Sequence, residues 1–421
     1  MSEKKPIKVG LIGCGTIANR AYMPSIINQF SMVDVVKFAD TVPERAEMFA
    51  KKFGGVACTN EDIYNDPEIE VVLNLTYPSS HYEVTKNAIL AGKHVHCEKM
   101  MAVTWEEGKE LADLAEEKGV WFTMAPDTFL GGVWQTCRHI IDLGVIGEPV
   151  SVFCALGRGG MGMGGRFGKS TRREYPRLDN GGGGFPMMGE RLPGFNPRPP
   201  QGSGAPFDMG GYYLHNMINM FGNIHRVSGV CRPAQEKQTV MDPLNTMYKE
   251  YQETPEPTMM IGTLEFDSGV AGVFLMPPGK MDTQFQVIGT NGTLFCPDPN
   301  FFGGEIVIQH NSGKPMVFDP KWGPLPDGKF TVPTICGYNN ESRGIGLMDL
   351  AFAIRNGRKP RCHYSMGLQA FECVHGMIES YKTGIEHVMI SHTERPKAAK
   401  PGFSAGFGEN ESFAQQSYFD D

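Results

Sequence analysis

Short apolar runs and helix-length amphipathic stretches alternate from Ile7 to Met124, and glycine, proline or a capping residue marks most junctions. Runs at Ile7–Ile12, Val33–Ala39, Val71–Thr76, His94–Cys97 and Val120–Met124 have strand length. Between them the spacing predicts helices. One runs from the loop after Gly13 to about Phe30, kinked or split at Pro24, and another covers Pro43–Phe53, with Gly54 past its end. A third is expected over about His81–Ala91, where Ser80 and Glu83 have capping-box spacing and Gly92 stops the chain. Thr104 and Glu107 repeat that spacing ahead of a helix that ends near Gly119. Strict alternation of strand and helix builds a parallel sheet covered on both faces, so residues 1–126 are expected to form a doubly wound α/β domain.

The pattern changes beyond Met124. A helix over about Gly131–Leu143 leads into a strand at Pro149–Ala155. Two hairpins follow: Met259–Phe266 and Val270–Met276 around Asp267-Ser268-Gly269, then Gln284–Ile288 and Thr293–Cys296 around Thr290-Asn291-Gly292. Helices are predicted over about Gly344–Arg355 and Leu368–Thr383. Residues 127–390 therefore read as an α+β domain on a mostly antiparallel sheet, suited to substrate binding and oligomerisation. From 391 to 421 the chain loses periodicity and is expected to be a flexible tail or an oligomer arm.

Residues 157–204 fit neither pattern. This stretch is rich in glycine and proline and carries eight Lys or Arg against three acidic residues. Loops of that length are usually functional or disordered, and a lid over the active site or a subunit contact is the expectation. Arg-Gly-Gly occurs there once, at Arg158, without a stacking series of aromatics, which argues against RNA binding.

Length and charge narrow the classes. The chain has 421 residues, more than the roughly 250–300 at which a single core stops growing. A formal charge of -8 argues against a general polyanion binder, and no apolar run approaches the ~18 residues of a membrane span. Ile7–Ile12, interrupted by Lys8, is a poor signal-peptide core. The ten cysteines never fall in a C-x-x-C pair, and several sit in apolar runs, as reduced buried thiols do. A cytoplasmic protein without a metal centre is expected.

Chemistry gathers at the predicted strand ends. Gly13-Cys14-Gly15-Thr16-Ile17-Ala18 is G-x-G-x-x-A placed between the first strand and the first helix, the position of a dinucleotide fingerprint. Gly13 permits the tight turn, Gly15 lets backbone approach a pyrophosphate, and the helix N-terminus favours its charge. Asp40 ends the second strand, where a carboxylate accepts the ribose hydroxyls and repels a 2′-phosphate, so NAD is expected over NADP. Arg45, five residues on, is a cation that favours the other cofactor. Thr76-Tyr77-Pro78, His81, and Glu98-Lys99 follow later strands at the same edge, where they are expected to line the cofactor. A lysine beside a nicotinamide can hydrogen-bond a substrate hydroxyl and favour an alkoxide as hydride leaves.

The order G-x-G-x-x-A, Asp40, Thr76-x-Pro78-x-x-His81 and Gly92-Lys93-His94-Val95-x-x-Glu98-Lys99 resembles the glucose–fructose oxidoreductase / inositol dehydrogenase / MocA family. Ile146-Gly147-Glu148-Pro149 and Val287-Ile288-Gly289-Thr290-Asn291-Gly292-Thr293 are similar to family patterns in the second domain. Met100 stands where the family usually has proline.

That resemblance implies a Rossmann domain followed by an open-sheet domain. It also implies a catalytic Asp-x-Gly-x-(His or Tyr) segment, here Asp208-Met209-Gly210-Gly211-Tyr212 on a helix that also carries His215. By the resemblance Tyr212 takes the acid/base position, Asp208 orients substrate or balances Lys99, and His215 contacts substrate. An unperturbed phenol near pKa 10 needs neighbouring positive charge to act as a base, whereas an imidazole near 6.5 does not, so Tyr212 and His215 stand as alternative bases. The implied activity is NAD-dependent oxidation of a secondary hydroxyl on a sugar, glycoside or cyclitol, in a homo-oligomer that binds neither nucleic acid nor membrane. Two alternatives are a redox-neutral glycoside-cleaving enzyme with retained NAD and a non-catalytic nucleotide-binding subunit.

Overall fold

The computed structural model describes residues 5–156, 205–232, 237–239, 251–253, 257, 259–277, 281–310 and 329–401. The glycine-rich 157–204 stretch and the end of the chain from 402 lie outside the described residues.

The first domain is a six-stranded parallel sheet of β1 (Ile7–Ile12), β2 (Val33–Ala39), β3 (Val56–Ala57), β4 (Val71–Asn74), β5 (His94–Cys97) and β6 (Phe122–Met124), in spatial order β3-β2-β1-β4-β5-β6. β4 is buried along its whole length, as expected of a strand covered on both faces. A π-helical turn, Ala18–Tyr22, precedes α1 (Met23–Gln29), whose second residue is Pro24, so the predicted break falls where proline is tolerated. α2 (Pro43–Phe53), α4 (Pro78–Leu90) and α5 (Trp105–Lys118) complete the wrapping. The reciprocal Thr104–Glu107 cap opens α5 as predicted. The Ser80–Glu83 box does not form: α4 begins three residues before His81, because Pro78 presets the first helical turn and Tyr77 becomes the cap. β3 and the five-residue α3 (Asn60–Tyr64) are additions to the sequence reading.

After α6 (Gly132–Asp142), the second domain builds a nine-stranded mixed sheet. It takes in β7 (Pro149–Ala155), β8 (Ile224–Arg232), β11 (Met259–Phe266), β12 (Ala271–Met276), β13 (Gln284–Gly289), β14 (Gly292–Cys296), β15 (Ile306–His310), β16 (Lys329–Val332) and β17 (His387–Val388). β9 (Lys237–Thr239) pairs separately with β10 (Tyr251–Glu253). Both predicted hairpins are present, and β7 lies between them, parallel to β12 and antiparallel to β13. Burial alternates along β11 and β12, so one face is core and the other is open. α7 (Ala205–Phe221) and α9 (Tyr364–Thr383) pack together on the covered side.

α8 (Ile345–Asn356) returns to the first sheet. It packs on β5 and β6, and a Cβ on its Gly346 would come within 2.9 Å of His96. Its Arg355 grips Glu70 through two hydrogen bonds of 2.6 and 2.8 Å.

Within the stretch expected to be a flexible tail or an oligomer arm, residues 391–401 lie as a strap along the second domain. Ala399 is fully buried, its N–H donates to Gln135 (2.7 Å), and Arg138 donates to the Pro396 carbonyl (2.9 Å). Hydrogen bonds between its backbone and α6 side chains hold it without periodicity of its own, and so no periodic signal revealed it.

Candidate active site

The strand order reverses between β1 and β4, and in doubly wound sheets the ligand crevice lies outside the strand ends at such a point. Gly13 has φ +102°, and a Cβ there would lie 2.6 Å from the Leu75 carbonyl carbon, so the first glycine is demanded by the meeting of the β1 and β4 ends. Gly15 has nothing within 4 Å of the place a Cβ would take. Its backbone, with exposed Thr16 and half-buried Ile17, is open to a phosphate-sized group. Asp40 ties this loop to α2: one carboxylate oxygen accepts the Cys14 N–H at 2.8 Å and the other the Val42 N–H at 2.9 Å. Arg45 is buried and turns its guanidinium to within 3.6 Å of Asp40. A glycine loop with open backbone beside a fixed carboxylate fits a dinucleotide's pyrophosphate and ribose.

The groups expected to carry chemistry meet at the end of β5. Lys99 Nζ is ion-paired with Asp208 from α7 and lies 5.4 Å from the centre of the Tyr212 ring. Burial works against the Lys99 charge, but Asp208, Tyr212 and Glu98 outweigh it and raise the pKa above the ordinary lysine value. Glu98 is buried as well. It accepts the Tyr22 hydroxyl at 2.6 Å and its own neighbour's N–H at 3.2 Å. Burial opposes its ionisation, yet Lys99, Arg343 and the Tyr22 hydroxyl hold the carboxyl below the usual range. The Lys99–Met100 peptide is cis.

Residues 7–125 match the family profile described as "Oxidoreductase family, NAD-binding Rossmann fold", and residues 196–390 match its "C-terminal alpha/beta domain". The chain belongs to the GFO/IDH/MocA oxidoreductase family. An inositol 2-dehydrogenase/D-chiro-inositol 3-dehydrogenase of Lactiplantibacillus plantarum is 31% identical over 156 residues, 36% of this chain and 44% of the relative. The scyllo-inositol 2-dehydrogenase (NADP(+)) IolW of Bacillus subtilis is 37% identical over 149 residues, 35% and 40% of the two chains. The chain spans about half the length, or less, of the curated relatives it matches. A levoglucosan dehydrogenase solved with NADH and levoglucosan superposes with a TM-score of 0.68, covering 92% of this chain and 100% of that one. At 19% identity that likeness speaks for the fold alone.

Within this family frame the expected residues separate into two groups. Lys99, Asp208 and Tyr212 converge, while Gly13, Gly15, Asp40 and Thr76 share the strand-end edge with Tyr77, which is exposed, and Pro78, which starts α4. His81 does not line the crevice as expected. It is buried, with one ring nitrogen 2.6 Å from the Met100 carbonyl and the other 3.0 Å from that of Thr76, so it clamps the turns after β4 and β5. His215 is held in place as well. Its Nδ1 lies 2.8 Å from the Pro126 carbonyl, its ring meets Phe129 edge-on, and burial pushes its pKa down to about 4. The Nδ1 contact fixes the ring between α7 and the turn after β6.

Sequence reading missed four participants: Tyr22, Asp127, Asn300 and Arg343. Arg343 is buried and donates to the Tyr212 hydroxyl at 2.5 Å and to Asn300 Oδ1 at 2.8 Å. Asp127 is fully buried and accepts the N–H groups of Gly344 and Gly346, both at 2.9 Å, at the start of α8. One signal pointed to Arg343: a cation immediately before a helix opposes the helix dipole and needs another reason to be there.

Proposed function

We propose that this family member oxidises, reversibly, a secondary hydroxyl of a sugar, glycoside or cyclitol, with NAD as the hydride partner. The convergence of Lys99, Asp208 and Tyr212 at the crevice carries the reading. With the dinucleotide's pyrophosphate held at the glycine loop, its nicotinamide would supply the acceptor for a hydride leaving the carbinol carbon. The chain's own part is the proton. As the C–H bond breaks with its electron pair, the hydroxyl proton passes to the deprotonated form of Tyr212, a form that burial disfavours and the Arg343 and Lys99 charges favour, and a C=O bond forms. The Lys99 ammonium donates to the substrate oxygen and stabilises its developing negative charge, and Asp208 fixes the ammonium in place. The inositol dehydrogenases among the relatives support the substrate class.

Asp40 favours NAD over NADP, since a 2′-phosphate would meet a carboxylate that two backbone N–H groups already hold in place. Self-association belongs to the same proposal: the open face of the nine-stranded sheet exposes Val230, Ile261, Val273 and Ile288.

Mass spectrometry of nucleotide carried through purification, followed by a screen of sugars, glycosides and cyclitols for NADH formation, tests the reading. Expected are NAD in the protein and a ketone with NADH from at least one polyol. Glycoside cleavage without net NADH would move the assignment to retained-cofactor chemistry. Nucleotide binding with no turnover on any of these compounds would defeat it.

A further inference from the structure

We propose that Arg343 is the positioning residue that sets the acidity of Tyr212 and so makes this phenol, rather than a histidine, the base of the reaction; the inference rests on Tyr212 receiving the substrate proton. A buried phenol is a poor base near neutrality, because desolvation raises a pKa already near 10. Among the described residues, four charged groups act on Tyr212: Glu98 and Lys99 from the end of β5, Asp208 from its own helix, and Arg343 from the turn before α8. They are not equivalent. Lys99 spends its charge on Asp208, and Glu98 is taken up by Tyr22 and the Lys99 N–H. Arg343 alone among the four has a hydrogen bond to the phenol oxygen, and its guanidinium carbon also stands 5.0 Å from the ring centre. A charge-assisted donor on that oxygen favours phenolate over phenol.

The surroundings keep this donor aimed. The guanidinium forks between Tyr212 and Asn300, a geometry that lysine does not reproduce. Its Nε is 3.4 Å from the half-exposed Glu341 carboxylate. Asp127 pins the backbone next to it through the Gly344 and Gly346 N–H groups. Placed at the start of a helix, the cation is on the wrong end of the dipole for helix stability, so its position answers to the phenol. The second domain supplies the phenol, the first supplies Lys99, and Arg343 arrives with the helix that returns to the first sheet.

Arg343→Gln keeps a neutral donor and removes the charge; Arg343→Lys restores charge without the fork. The pH profile of kcat/KM for polyol oxidation is read beside the absorbance titration of ionised phenol, taken as the difference from Tyr212→Phe, which needs no turnover. Expected is an upward move of the Tyr212 pKa by about one unit or more in Arg343→Gln, with at least a tenfold loss of rate near neutral pH that alkali recovers. Arg343→Lys should show a smaller move of the same sign, and it carries the test if Arg343→Gln fails to fold. A phenol titration and pH profile that stay put in a folded Arg343 variant, while Tyr212→Phe is inactive, would overturn this inference and leave the base assignment standing. An active Tyr212→Phe would overturn both.

Discussion

Lys99→Met keeps most of the side chain's length and removes its charge. That charge lies 5.4 Å from the centre of the Tyr212 ring and is paired with Asp208. At an effective dielectric constant of about 20, a unit charge at this distance is worth ~3 kcal/mol, or roughly 2 pK units on the phenol. Its loss raises the Tyr212 pKa by that amount, because the Asp208 charge beside the phenol is then no longer offset. The phenolate fraction near neutral pH then falls about 100-fold. Loss of the donor to the developing alkoxide adds to this, within the roughly 100- to 10,000-fold that positioned acid/base groups contribute. The expected outcome is a drop in kcat/KM of at least about 100-fold near pH 7, less severe in alkali, with the NAD dissociation constant changed by no more than about twofold. Stopped-flow or steady-state NADH formation across pH gives the first quantity, and quenching of protein fluorescence gives the second. A rate within a few-fold of the parent would refute the assignment of Lys99 to the proton chemistry. A rate loss matched by an equal loss of NAD affinity would make Lys99 a cofactor ligand instead.

NAD should bind more tightly than NADP by at least about tenfold, ~1.4 kcal/mol; equal constants in a competition titration would mean that Arg45 overrides Asp40. Gly13→Ala and Gly15→Ala should part company: the first drives a Cβ into the β4 backbone at a positive φ and should lose folded protein, while the second meets open space and should fold but bind NAD weakly. A Gly13→Ala protein with the parent's melting temperature would contradict this account of the β1–β4 junction. Acid should destabilise the fold. Burial pushes His96, His215 and His375 down to about 4, so between pH ~6.5 and ~4 the unfolded chain binds more protons and stability falls as pH drops. Asp127, which burial lifts to about 6, works the other way in part of that window, and the three histidines outweigh it. A urea midpoint at about pH 5 equal to or above that at about pH 7.5 would show that the histidine burial is not felt in stability.

Tyr212 and Arg343 are 131 residues apart, and nothing local to either announces the other. The features read correctly were local ones. Strand and helix alternation over the first domain, the G-x-G-x-x-A turn, the Thr104–Glu107 cap and the two hairpins each follow from the chemistry of neighbouring residues, whose backbone preferences and periodicity are written within one element. The resemblance carried the catalytic reading further, to Lys99, Asp208 and Tyr212 on two domains. What depended on distant contacts stayed hidden. Periodicity makes β7 a strand but cannot say that it slots between two hairpins, because register and neighbour are settled by which faces bury together. The 391–401 strap has no pattern because its order comes from α6 and from Asn219 and Asn223 around α7's end, not from itself. His81 and His215 looked like site residues by position. Only the fold shows each ring turned onto backbone carbonyls, where a buried imidazole finds the partners that burial requires. Arg343 stands as the reverse case, unremarkable in its segment and decisive once α8 returns to the first sheet and sets its charge on the phenol.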